Sequence, residues 1–188
     1  MLASVYIATS LDGFIAREDG NLDWLLGAGG QAGEDYGYKE FMSTVDAIVM
    51  GRHTYEKVLT FGQWPYAGKR VIVLSSRPGA SPADSAAEVA WLSGSPAEVA
   101  RSLDERGVKH AYVDGGQTVQ RFLAAGLVQR LIVTRIPVLL GRGIPLFGPL
   151  PADVSLRHVA TRSFPCGFVQ SEYAIDHAAG ANDLLRAS

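Results

Sequence analysis

Apolar positions in this chain fall into short runs broken by glycine, proline and charge, and the rhythm inside each run predicts its element. Residues 2–9, "LASVYIAT", read as a strand that passes through an Asp12-Gly13 turn into a short extended piece around Phe14 and Ile15. Six glycines (20, 27, 29, 30, 33 and 37) surround "LDWLL", the pattern of a mobile loop with one anchored apolar cluster. Tyr38, Phe41, Met42 and Val45 then recur at helical spacing. The runs at 47–50 and 70–74 ("RVIVL") are too short for helices and predict strands, with a helix over about 53–59 between them.

Further on, Ser95 stands before Pro96 and three residues ahead of Glu98, a capping box with proline at the first helical position. That helix should reach Arg106 and stop at Gly107. "KHAYVD" returns as a strand, "TVQRFLAA" as a helix ended by Gly126, and "RLIVTRIPVLL" as a strand with Pro137 at an edge or bend. "SLRHVATRSF" and "FVQSEYAI" alternate around Pro165-Cys166-Gly167 and predict a closing antiparallel hairpin. Strand-helix alternation implies an α/β fold with a mixed, mostly parallel sheet and helices on its faces. No linker or repeat divides the chain, so residues 1–176 read as a single domain and 177–188 as a frayed tail or short terminal helix.

Composition narrows the function. A chain of 188 residues that is 47% hydrophobic sustains one good core. A net charge of −2 provides no basic field for nucleic acid or anionic lipid. The single cysteine, Cys166, forms no intramolecular disulfide and builds no cysteine-based zinc site, which fits a reducing cytosol. Without a signal-peptide pattern or a bilayer-length apolar run, the expectation is a soluble, cytoplasmic protein. The four histidines show no metal-ligand spacing, so no metal is expected.

In an open parallel sheet, ligands bind beyond the carboxyl ends of the strands, where helix N-termini gather. Three expected strand ends carry suitable residues: Gly51-Arg52-His53-Thr54, Ser75-Ser76-Arg77 and Asp114-Gly115-Gly116-Gln117-Thr118. Glycine before a helix lets backbone N–H groups approach an anion. Arg52 and Arg77, from different strand ends, suggest more than one phosphate, as in a dinucleotide with an extra ribose phosphate; NADPH satisfies that. Taken singly each motif has an ordinary reading as a turn or a solvated charge. Their coincidence at three strand ends carries the inference.

The run "VMGRHTYE" followed by "VIVLSSRPG" resembles dihydrofolate reductase. "SLDGFIA" and "VDGGQTVQRFLAAGLVQRLIVTRIPVLLGRGIPLF" are similar to the reductase domain of the bacterial riboflavin-biosynthesis deaminase-reductase. The resemblance runs from Ser4 to about Ala174 and identifies a member of the dihydrofolate reductase-like superfamily, of the C-terminal reductase-domain type. It implies a three-layer αβα fold, NADPH as cofactor and a homodimer. It also implies that Gly51, Arg52, His53 and Thr54 contact the pyrophosphate and ribose phosphate, and that Ser75, Ser76 and Arg77 face the 2′-phosphate. Gly115, Gly116, Gln117, Thr118 and Val119 would face the diphosphate, with Ala8 and Ile15 beside the nicotinamide. The zinc-deaminase motifs of the bifunctional enzyme do not occur in this chain.

On the substrate side, Asp35 sits sixteen residues before Gly51, where the resemblance would place the acid that holds a pterin. Asp at a helix start is also a common cap. Asp12 is the second catalytic candidate, although Asp-Gly pairs are often only turns. Trp24 and Tyr36 would border the cleft and stack on a flat heterocycle, with loop anchoring as the alternative for Trp24. The leading expectation is a 5-amino-6-(5-phosphoribosylamino)uracil reductase. The others are a dihydrofolate reductase, which the polar "YKE" at 38–40 disfavours, and a non-catalytic NADPH-binding dimeric protein.

Overall fold

The computed structural model describes residues 1–28, 33–80, 82 and 87–176. In chain order the elements are β1 (Leu2–Ser10), β2 (Phe14–Ala16), α1 (Asp23–Leu26), α2 (Tyr38–Ser43), β3 (Ala47–Gly51), α3 (Arg52–Leu59), β4 (Arg70–Leu74) and β5 (Glu88–Leu92). They continue with α4 (Pro96–Glu105), β6 (His110–Asp114), α5 (Gly116–Ala124), β7 (Arg130–Ile136), β8 (Ile144–Pro145), β9 (Leu156–Ser163) and β10 (Val169–Ile175). Eight strands form one sheet in the order β5-β4-β3-β6-β1-β7-β10-β9, and β2 pairs with β8 in a small separate ribbon. From β5 to β7 every pairing is parallel; β10 and β9 run antiparallel at one side.

Each face of the sheet has its own core, as the near-continuous apolar runs of a doubly covered sheet require. Val5, Val49, Val113, Leu131 and Val133 pack with Val99 and Leu103 of α4 and Val119 and Phe122 of α5. On the opposite face Ile48, Met50, Val71, Val73 and Tyr112 meet Phe41 of α2 and Tyr55 and Val58 of α3. Ser95 accepts from the Glu98 N–H while the Glu98 carboxylate accepts from the Ser95 N–H, so α4 begins with the expected capping box. Gly107, φ +77°, follows its end in the left-handed region.

Two elements are absent from the sequence reading. Strand β5 is an edge strand whose short "EVAWL" run is identified by its ladder to β4. The two residues of β8 form a strand only because Phe14 and Ala16 lie opposite them. Strand β7 ends at Ile136, one residue before Pro137, as a residue without an N–H dictates. The "LDWLL" cluster supplies the one-turn α1; Gly29, Gly30 and the tail 177–188 lie outside the described residues.

Candidate active site

The register brings the three sequence motifs to one edge. Leu74 of β4 pairs with Gly51 of β3, and Met50 of β3 pairs with Asp114 of β6. The carboxyl ends of β4, β3 and β6 are therefore consecutive neighbours, each about 4.8 Å from the next. Helix α3 starts directly from β3 and α5 directly after β6, and neither has a side-chain cap. Their first-turn N–H groups have no intrahelical acceptors.

The two helix starts interlock through glycine. A Cβ on Gly51 would stand 3.1 Å from Thr118 Oγ1, and one on Gly115, φ +86°, would collide with the side chain of Thr54. On Gly116 it would meet Ile15 Cδ1 at 2.9 Å. Gly51 has an extended backbone, φ −77° and ψ 162°, so close approach to α5 explains its lack of a side chain. Ile15 is thereby seated on the first turn of α5. Thr54 and Thr118 stand at the junction, and Gln117 is exposed beside it. Val119 differs from the sequence expectation: its side chain is wholly buried in the core, and its N–H already bonds Gly115 O at 2.9 Å.

At the end of β4 the Ser75 hydroxyl donates to Arg77 O at 2.8 Å and accepts from Arg77 N at 3.1 Å, closing a tight turn. Ser76 and Arg77 are exposed at its tip. Arg52 lies back along α3, its Nε 2.7 Å from Glu56 Oε1.

The model of the RibD C-terminal domain family matches residues 4–170. The chain belongs to that family. It is 39% identical to the uncharacterized protein YwjB of Bacillus subtilis over 163 residues, covering 85% of this chain and 90% of YwjB. It is 32% identical to the dihydrofolate reductase HdrB of Haloferax volcanii over 127 residues, 66% of this chain and 62% of HdrB. Among solved structures, a putative riboflavin biosynthesis protein from Shewanella sp. PV-4 superposes with a TM-score of 0.86 at 37% identity, covering 94% of this chain and 99% of that one. The dihydrofolate reductase-like fold follows, with the mostly parallel sheet and C-terminal antiparallel pair described above.

Within this RibD C-terminal domain the two expected acids have structural partners. Asp12 accepts from the Ser10 hydroxyl at 2.6 Å, from Leu140 N at 3.1 Å and from Gly141 N at 2.7 Å. These bonds hold its carboxyl below the usual range and clasp the β1–β2 turn to the segment after β7. Asp35 accepts from Gly37 N at 3.0 Å and Lys39 N at 3.1 Å, and the same two bonds lower its pKa. These bonds tie its carboxylate to the first turn of α2.

Tyr36 also has a packing role. Its ring lies against Phe164 and Phe168 at centroid distances of 4.9 and 5.3 Å, and its carbonyl accepts from Tyr6 OH at 2.7 Å and Gln170 Nε2 at 3.1 Å. These contacts hold it at φ +57°, the one left-handed non-glycine among the described residues. Trp24 is buried with Ile136, Phe168 and Ala8, which anchors α1. Its indole Nε1 is nevertheless buried without a hydrogen-bond partner among the described residues.

Sequence reasoning quoted Asp114 only as the start of a glycine motif. In the structure it stands among Tyr38, Tyr66 and Tyr112, and burial pushes its carboxyl pKa up against the pull of the Gly115 N–H and the Tyr112 and Tyr66 hydroxyls. The Tyr112 hydroxyl also donates to Tyr6 O at 2.9 Å, so its single hydrogen is shared between that carbonyl and the Asp114 carboxyl. Burial and the Asp114 charge push Tyr38 up to about 12. The available signal was an acid two residues beyond Tyr112 on the same strand face, next to the glycine pair.

Proposed function

We propose that this chain is an NADPH-dependent reductase acting on a planar nitrogen heterocycle or its ring-opened ribosyl derivative, of the kind reduced in riboflavin biosynthesis. The observation that carries the reading is the interlock of two uncapped helix starts, α3 and α5, at adjacent parallel strand ends, beside a carboxyl whose pKa burial raises. The lack of side chains at Gly115 and Gly116 lets Thr54 and Ile15 close on the start of α5, which brings the two helix N-termini together as a diphosphate would need. The first-turn N–H groups of α3 and α5, with Thr54, Gln117 and Thr118, would hold it. Arg52, Ser76 and Arg77 would meet the ribose phosphate, with Ala8 and Ile15 beside the nicotinamide.

Bound there, NADPH supplies hydride to the electrophilic carbon of a C=N or C=O group. The chain's own task is the balancing proton, which the heteroatom takes as the carbon is reduced. Asp114 holds that proton in its raised-pKa carboxyl. Tyr38 and Tyr66 stay protonated beside it, and the unpartnered Trp24 N–H offers a donor to a ring carbonyl.

The test is fluorescence titration with NADPH and NADH, followed by NADPH consumption with the aminouracil ribosyl phosphate and with dihydrofolate in separate reactions. Selective NADPH binding and turnover of the aminouracil is the expected result; failure to bind any dinucleotide would overturn the reading. Turnover of dihydrofolate alone would establish the second reading, which the identity to HdrB favours. Tight binding without turnover would establish a non-catalytic binding protein. The reading includes a homodimer in a soluble compartment, checked by light scattering. No helix among the described residues is long and apolar enough to cross a membrane.

A further inference from the structure

One carboxylate stands beside the polar side chains that open α3. Glu56 Oε1 lies 2.7 Å from Arg52 Nε, and Glu56 Oε2 lies 3.7 Å from His53 Nδ1. Neither Arg52 nor His53 has another polar partner among the described residues. Arg52 and His53 are the first two residues of the helix, and Glu56 is one turn further along. The ion pair therefore draws the guanidinium back along α3, away from the end where a phosphate would sit. The Arg52 and Glu56 side chains are 41% and 46% exposed, so water competes for the pair and its hold is weak.

We infer that Glu56 sets the selectivity of the dinucleotide site by competing with the ribose 2′-phosphate for Arg52. The inference rests on the NADPH reading above. A phosphate presents more charge and a bidentate edge to a guanidinium, so it takes Arg52 from Glu56 when it binds. The released carboxylate then faces a like charge without a cation of its own, and binding is weaker than Arg52 alone would make it. NADH has no 2′-phosphate and escapes most of this opposition. Glu56 is in this sense a positioning and selectivity residue: it acts through Arg52.

Fluorescence titration of wild type and Glu56→Gln with NADPH and NADH, at about 25 and about 250 mM salt, tests this. The variant should bind NADPH about threefold tighter at low salt and less than about twofold tighter at high salt, with NADH changed by less than about 1.5-fold. In an Arg52→Ala background the same substitution should give no gain, because the partner through which Glu56 acts is gone. Unchanged or weaker NADPH binding in Glu56→Gln, an equal gain for NADH, or a gain that survives Arg52→Ala would each overturn the inference. Wild-type protein that binds neither dinucleotide would overturn the cofactor reading, and this inference with it. Wild type that binds NADPH while the variant shows no gain leaves that reading intact and overturns only the role of Glu56.

Discussion

Burial raises the pKa of the carboxyl at the end of β6 against the pull of its hydrogen-bond donors, and on the proposed function this makes Asp114 the proton donor. Asp114→Asn should lower kcat about 100-fold while NADPH affinity stays within about twofold, measured by steady-state kinetics and titration. The wild-type rate should fall as pH rises through the raised pKa of Asp114, since only the protonated form donates, and that limb should vanish in the variant. Arg77→Ala should weaken NADPH about tenfold and NADH far less, because on the proposed function the exposed tip of the β4 turn meets the extra phosphate. The glycine-bearing strand ends stand out in the sequence by residue type and spacing, and the register sets them side by side. The surroundings of the acids were not legible: the N–H groups from which Asp35 and Asp12 accept are placed by the fold, and Asp114 lies beside Tyr112 of its own strand but also beside Tyr38 and Tyr66, which are remote in sequence.

Among the elements, those with strong local signatures were readable and those made by pairing were not. Helix α4 carries its start signal in four residues, and Ser95→Ala should cost about 1 kcal/mol, seen as a lower urea midpoint with unchanged slope. Strand β5 has no such signature and exists through its ladder with β4. Elements are also joined by His110, buried on β6, whose Nε2 lies 2.8 Å from Ser4 Oγ on β1 and whose Nδ1 lies 3.0 Å from Thr44 O at the end of α2. Burial lowers its pKa below 6.5. Protonation therefore favours the unfolded chain: the stability from neutral His110 is complete above about pH 6.5 and is lost as pH falls through the depressed value. Thermal melts of wild type and His110→Gln across that window should converge toward low pH.

At the scale of the whole molecule, the strand order could be guessed as mostly parallel, but the place of β1 could not, since nothing local to residues 2–10 says which strands flank it. It lies between β6 and β7 and pairs with no strand formed before residue 110. A fragment ending at residue 92 should accordingly leave β1 unprotected in amide exchange even if β3, β4 and β5 associate. The order in which the chain leaves a ribosome makes this a matter of time. At roughly 5–20 residues per second, the apolar first strand waits on the order of ten seconds for its flanking partners. The strand that carries Ala8 is thus synthesised well before its partners and among the last to be seated, and a nascent chain of this protein presents it to whatever binds exposed apolar segments in the interval.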